Sequence, residues 1–144
     1  MAIGNLAAKA ENHGEIVKLG AIEAVLKLLR SYPKSAEAGR FGAFALSNLA
    51  AVEKYQQRIV DSGAIEILVA FACADSRSTQ HWSLATLRGI CSNPQHRAMA
   101  VKQGILDPLV LMARTDSERW PTEFSLLFWH YYFLGIKKGN AMLL

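Results

Sequence analysis

The chain has 144 residues, 51% apolar and 19% charged, which is enough for one ordinary domain with a core and too apolar for a disordered tail. Its formal net charge of +4 is scattered, with no run longer than Lys137-Lys138, which argues against the clustered basic stripe of a nucleic-acid binder. Two cysteines, Cys73 and Cys91, form no paired framework, so a reducing location is expected: the cytoplasm, with the nucleus also open.

In chain order, "AIGNLA" at 2–7 reads as the end of a helix. It has neither the basic start nor the long apolar stretch of a signal peptide, and with Ala at position 2 no N-myristoylation is expected of the chain as written. A short helix follows, with Ile16 and Val17 on its inner side, and it ends at Gly20. "GAIEAVLKLL" then sets Ile22, Val25, Leu26 and Leu29 at i, i+3, i+4 and i+7, one buried face of a helix. The polar loop "SYPKS" leads into a longer helix over roughly 36–51, which carries "ALSNLA". The order then recurs. A short helix is marked by Ile59 and Val60. Gly63 opens a helix with Ile65, Leu68, Val69 and Ala72 inward. The loop "ADSRS" precedes a long helix over roughly 79–92. Pro94 can start the next short helix, with Ala100 and Val101 inward. Gly104 opens the last clear helix, where Leu106, Leu109, Val110 and Ala113 face inward and Pro108 falls in the first turn.

A fixed ruler runs through these elements. Asn5, Asn48 and Gly89 share one slot, spaced by 43 and 41 residues, and 15 residues beyond each stands Gly20, Gly63 or Gly104. That period marks a stacked solenoid whose unit holds one short and two longer helices. The glycine marks a sharp bend that requires positive φ or a close backbone approach. No period-2 strand pattern competes. The expected organisation is a solenoid over 1–131: a partial repeat at 1–8, units at about 11–51, 54–92 and 95–134, and a divergent tail at 132–144.

In the final unit Phe124, Leu127, Phe128 and Tyr131 keep the helical spacing with larger residues, and His130 takes the anchor slot. This stretch reads as a bulky terminal cap or as the place where the repeat stops. The apolar run 124–136 has 13 residues, too few to span a membrane, so no direct membrane insertion is expected. The ends cut across repeats and show little polar dressing. Self-association through uncapped ends, or a longer array, is the expectation.

No catalytic motif, phosphate loop or dinucleotide fingerprint appears, so an enzyme is not expected. His13, His81, His96 and His130 occupy different slots with no metal-ligand spacing, and neither a metal nor a cofactor is expected. The slot of His13, Gln56 and Arg97 reads as surface. Cys91 shares the small, buried slot of Ala7 and Ala50, and Cys73 reads as near the surface. Glu23 and Lys27 stand four apart, as an intrahelical ion pair would.

"ALSNLA", the 15-residue step to "GAIE" and the Leu-rich helix after it together resemble the armadillo repeat, over about residues 1–131. The resemblance implies an all-α, right-handed armadillo-type α-solenoid of about three and a half repeats. It also implies a non-catalytic scaffold whose third helices line a concave groove for an extended peptide of a protein partner. An Asn amide suits a peptide main chain because it both donates and accepts. Carried over, Asn48 becomes the groove asparagine, with Phe44 and Phe41 on its face. In the next unit the same slots hold Gly89, Ala85 and Trp82. Arg40, Ser47, His81, Arg88 and Ser92 flank that row. Two structural alternatives stand beside this reading: Asn48 bonded to a neighbouring backbone, and Phe41 and Trp82 packed against the adjacent unit. Nuclear-import adaptors of the family (importin alpha) place Trp four residues before the Asn. Here those slots hold Met1, Phe44, Ala85 and Leu126. With Arg40 and Arg88 nearby, a basic localisation peptide is disfavoured and an acidic or neutral one expected. "GAIEILV" and "GAFALSNLAA" look more like vacuolar-membrane and plant-type armadillo scaffolds. The other functional readings are an import adaptor and the substrate-recognition segment of an armadillo ubiquitin ligase.

Overall fold

Ser35 and Ser76, 41 residues apart, each sit in extended backbone just before a long helix. Their hydroxyls accept from the amides of Ala38 (3.1 Å) and Thr79 (3.4 Å), which satisfies one orphan donor of each first turn. Asn93 does the same for the amide of Gln95 at 3.0 Å, with Pro94 at the first helical position. The computed structural model describes residues 2–114, and among them the order is α1 (Ala2–Ala7), a 3₁₀ turn (Ala10–Asn12), α2 (His13–Lys18), α3 (Ala21–Ser31), α4 (Ala36–Ala50), α5 (Glu53–Asp61), α6 (Ala64–Ala72), α7 (Arg77–Cys91), α8 (Pro94–Lys102) and α9 (Leu106–Arg114). No strand occurs among the described residues.

The three ruler glycines are the only described residues with positive φ, at 81°, 78° and 87° for Gly20, Gly63 and Gly104. Each donates its amide to the carbonyl three residues back, from Val17, Val60 and Val101, and then opens the following helix. A side chain would be strained in this left-handed conformation, which is why the slot holds glycine each time.

The third helices α1, α4 and α7 pack side by side, while α3, α6 and α9 stack behind them. Between the layers lie Ile22, Leu29, Leu46, Leu68, Leu84 and Leu87, all fully buried. Two threonines rivet α7 to α4. Thr79 Oγ1 donates to the Ala36 carbonyl at 2.8 Å, and Thr86 Oγ1 lies 3.0 Å from the Ala43 carbonyl, both 43 residues earlier. One inward expectation is corrected. Val110 is 48% exposed, whereas Leu26 and Val69 in its slot are buried. Those two are covered by the next unit's α6 and α9, and no described helix stands beyond α9. The side chain of Ala113 and everything from residue 115 onward, including the cap reading and the divergent tail, lie outside the described residues.

The slot of His13, Gln56 and Arg97 is not a surface slot: His13 and Gln56 are 6% and 3% exposed. The last turn of a helix leaves carbonyls without partners, and these side chains reach back six residues to satisfy them. His13 Nε2 lies 2.6 Å from the Ala7 carbonyl, Gln56 Nε2 2.9 Å from that of Ala50, and Arg97 Nε 2.8 Å from that of Cys91. One position earlier, Asn12 and His96 reach the carbonyls of Leu6 and Ile90, both at 3.1 Å. Chemically different side chains thus close the ends of successive third helices in the same way.

A second correction concerns Glu23. Its partner is Arg58 of the next unit at 2.8 Å, not Lys27 on its own helix. Stacking brings α5 beside the start of α3, and Arg58 reaches the carboxylate through Nε. The Arg58 hydrogen bond, against a smaller opposing effect of burial, holds the Glu23 carboxyl below its usual range. A depressed carboxylate adds stability that is present above the unfolded-state pKa and is lost as pH falls through the folded-state value. Both side chains are about half exposed, at 45% and 48%. Glu23→Gln is therefore expected to cost no more than about 1 kcal/mol near neutral pH. Urea melts should show this difference shrinking to nothing as the pH is lowered through the carboxylate range.

Candidate functional site

The third helices turn the aromatic residues of the sequence reading toward one another. Phe44, at the middle of α4, meets the Trp82 ring of α7 edge to face, with centroids 4.6 Å apart and planes at 63°. On its other side it lies over Gly4 of α1, where an added Cβ would fall 2.8 Å from Phe44 Cδ1. His81 packs its ring on Trp82 at 4.7 Å. Arg40 stands over the Phe41 ring at 4.3 Å, a cation–π contact at the start of α4. Phe41, Phe44, His81 and Trp82 are all half-buried, so each keeps an accessible edge.

Further along the same two helices the surface sinks into a depression of about 220 Å³. Ser47, Asn48 and Ala51 of the α4 side face Trp82, Ala85, Arg88 and Gly89 of α7. Five of the residues singled out from the sequence therefore meet in one place. Arg40, Phe41, Phe44 and His81 do not line it and instead form a shelf nearer the helix starts. The depression also takes in Gly89, which the sequence reading placed in the Asn48 slot, and Ala51, which it left out. A Cβ at Gly89 would stand 3.0 Å from the Ala50 carbonyl oxygen, so glycine here lets α7 close on the end of α4.

Both structural alternatives hold in part. Trp82 packs against the buried core as well as facing outward. Asn48 Nδ2 lies 3.5 Å from the Gly4 carbonyl, the outer limit of a hydrogen bond, which leaves most of the amide's capacity unspent. Ser47 Oγ donates to the Phe44 carbonyl at 2.8 Å and keeps its lone pairs as acceptors. No Asp or Glu lines the depression, and Arg88 is exposed at its lip. At about 220 Å³ it falls below the range of roughly 300–1,000 Å³ for small-molecule and cofactor sites.

Cys73 is exposed and Cys91 buried, as read from their slots. Burial, and then the Asp107 carboxylate, push the Cys73 thiol up, which opposes thiolate chemistry. Among the described residues no group of three or more His, Cys, Asp or Glu side chains could hold a metal ion. No described helix is long and apolar enough to cross a membrane.

Several solved structures share this architecture. An engineered protein superposes with a TM-score of 0.77 at 24% identity, over 86% of this chain and 52% of its own length. A designed armadillo repeat protein in complex with the peptide (KR)4 has a TM-score of 0.70 at 26% identity, over 81% of this chain and 50% of its own. Computationally designed armadillo repeat proteins described as made for modular peptide recognition give 0.72 at 26% identity, over 85% and 50%. The chain spans about half the length of these structures. No protein-family model matches the chain, and no curated protein matches it.

Proposed function

Starting from an armadillo-type repeat solenoid, we propose that the chain is a non-catalytic scaffold that binds an extended peptide segment of a protein partner along its third helices. The observation that carries this reading is the depression between α4 and α7, whose lining includes both Asn48 and Trp82. An extended strand exposes one donor and one acceptor per residue, and an Asn amide with most of its capacity unspent can meet both. The Trp82 ring supplies an apolar wall at low entropic cost, as is common at binding hot spots. The peptide-binding descriptions of the designed neighbours support the same ligand class.

Selection from a random octapeptide display library would supply a first ligand. Titration of that peptide against the parent chain and Asn48→Ala tests the reading. The substitution is expected to weaken binding by about 1–3 kcal/mol, because a peptide group is left unpaired at the surface of α4. Equal affinity for the two proteins would place the ligand elsewhere and make Asn48 a purely structural residue.

A further inference from the structure

We infer that the depression between α4 and α7 is a side-chain pocket for a single acidic residue of the bound peptide, an Asp or Glu whose carboxylate pairs with Arg88. This rests on the groove reading above and adds the chemistry that the groove selects. The first ground is size. A depression of about 220 Å³ is smaller than a small-molecule site and suits one side chain. The second is charge. Arg88 is the one ionisable group in the lining, and no carboxylate accompanies it. Glu23 is taken up by Arg58, on other helices, and among the described residues no carboxylate pairs with the guanidinium of Arg88. A guanidinium presents its donors in a planar fork that a carboxylate matches with two hydrogen bonds.

The third ground is shape. Ala85 and Ala51 are small and leave the pocket open, while the Trp82 ring forms a flat wall along which the methylene stem of a Glu can lie. The close approach at Gly89 holds the end of α7 against Ala50, which keeps Arg88 on the same rim as Asn48. The peptide main chain engages Asn48 while one side chain turns down toward Arg88. The designed neighbour solved with (KR)4 holds a peptide of the opposite charge. The net charge of +4 would attract any acidic peptide weakly, so the test must separate a local pocket from the general field.

The random octapeptide library is selected in parallel against the parent, Arg88→Glu, Asn48→Ala and Lys27→Glu. Lys27 is exposed on α3, and its replacement makes the same change in net charge away from the groove. Peptides enriched on the parent and on Lys27→Glu are expected to share Asp or Glu at one fixed position, and those from Arg88→Glu to lose it. The best parent peptide and its acid-to-amide variant are then titrated. The amide should bind the parent roughly tenfold more weakly than the acid, as loss of one charged hydrogen-bond partner predicts, and should bind Arg88→Glu at least as tightly as the acid, because a carboxylate at position 88 repels an acidic side chain. Enrichment without a fixed acidic position, or equal loss on Lys27→Glu and Arg88→Glu, overturns the pocket while leaving the groove standing. Binders that are indifferent to Asn48→Ala overturn the groove itself.

Discussion

Truncating Leu68 to Ala is expected to cost about 2–5 kcal/mol of folding stability, the range for a large buried side chain whose cavity cannot collapse fully. Leu68 is 0% exposed and sits on α6, which packs against α3, α7 and α9. Two of those elements, α3 and α9, belong to other helix triplets. In a solenoid each unit is stabilised by its neighbours alone, so a cavity in the middle unit weakens both stacking faces. A short array has little reserve against that. Urea denaturation followed by circular dichroism gives the number, with Leu28→Ala as the comparison because Leu28 is 42% exposed on α3. A Leu68→Ala loss no larger than that of Leu28→Ala would contradict the stacked arrangement.

Gly39→Val is the second large effect. A Cβ at Gly39 would fall 2.6 Å from both Phe71 Cδ1 and Thr79 Cγ2. Those groups belong to α6 and α7, both are buried, and the Thr79 hydroxyl holds the Ala36 carbonyl at 2.8 Å. Any side chain here must wedge α4 away from two helices at once and stretch that bond. Overpacking of this kind costs about 1–3 kcal/mol and sometimes more, which outweighs the gain from replacing a helical glycine. Gly14 gives the opposite sign. An added Cβ there meets the Tyr55 hydroxyl at 3.9 Å, an ordinary contact. Gly14→Ala should thus raise stability by up to about 1 kcal/mol through helix propensity. Thermal melts of the two variants decide the matter, and a shift of the same sign in both would mean that α4 is not seated as described.

Much of the depression's lining was legible because its residues obey the ruler. Asn48, Ala85 and Trp82 were reached by counting along helical slots, and they do converge. Their partners across the depression were not legible in full. Nothing in the spacing says that Phe44 lies over Gly4, or that Arg40 turns onto Phe41 and leaves Arg88 at the lip. The capping slot is the clearest miss. His13, Gln56 and Arg97 share a position but no chemistry that pattern reading would group, and polar types at one slot suggest solvent. The demand they answer comes from backbone carbonyls at the ends of α1, α4 and α7, which a residue list does not display.

By itself the sequence determined the helices, their order in threes and the bends between them. These follow from local physics: the 3.6-residue period of Leu, Ile and Val, the serine caps, and the left-handed backbone at Gly20, Gly63 and Gly104. The tertiary structure alone decided which side chains meet across units: Glu23 with Arg58, Thr86 with the Ala43 carbonyl, Phe44 with Trp82, and Arg88 with the depression beside Asn48. Those pairings depend on the rotation and distance between stacked helices. Van der Waals contact sets both, as at Gly39 and Gly89, where the missing Cβ lets backbone and neighbour close. A residue's slot along the chain specifies which face it lies on, and only the packing of one unit on the next specifies what that face touches.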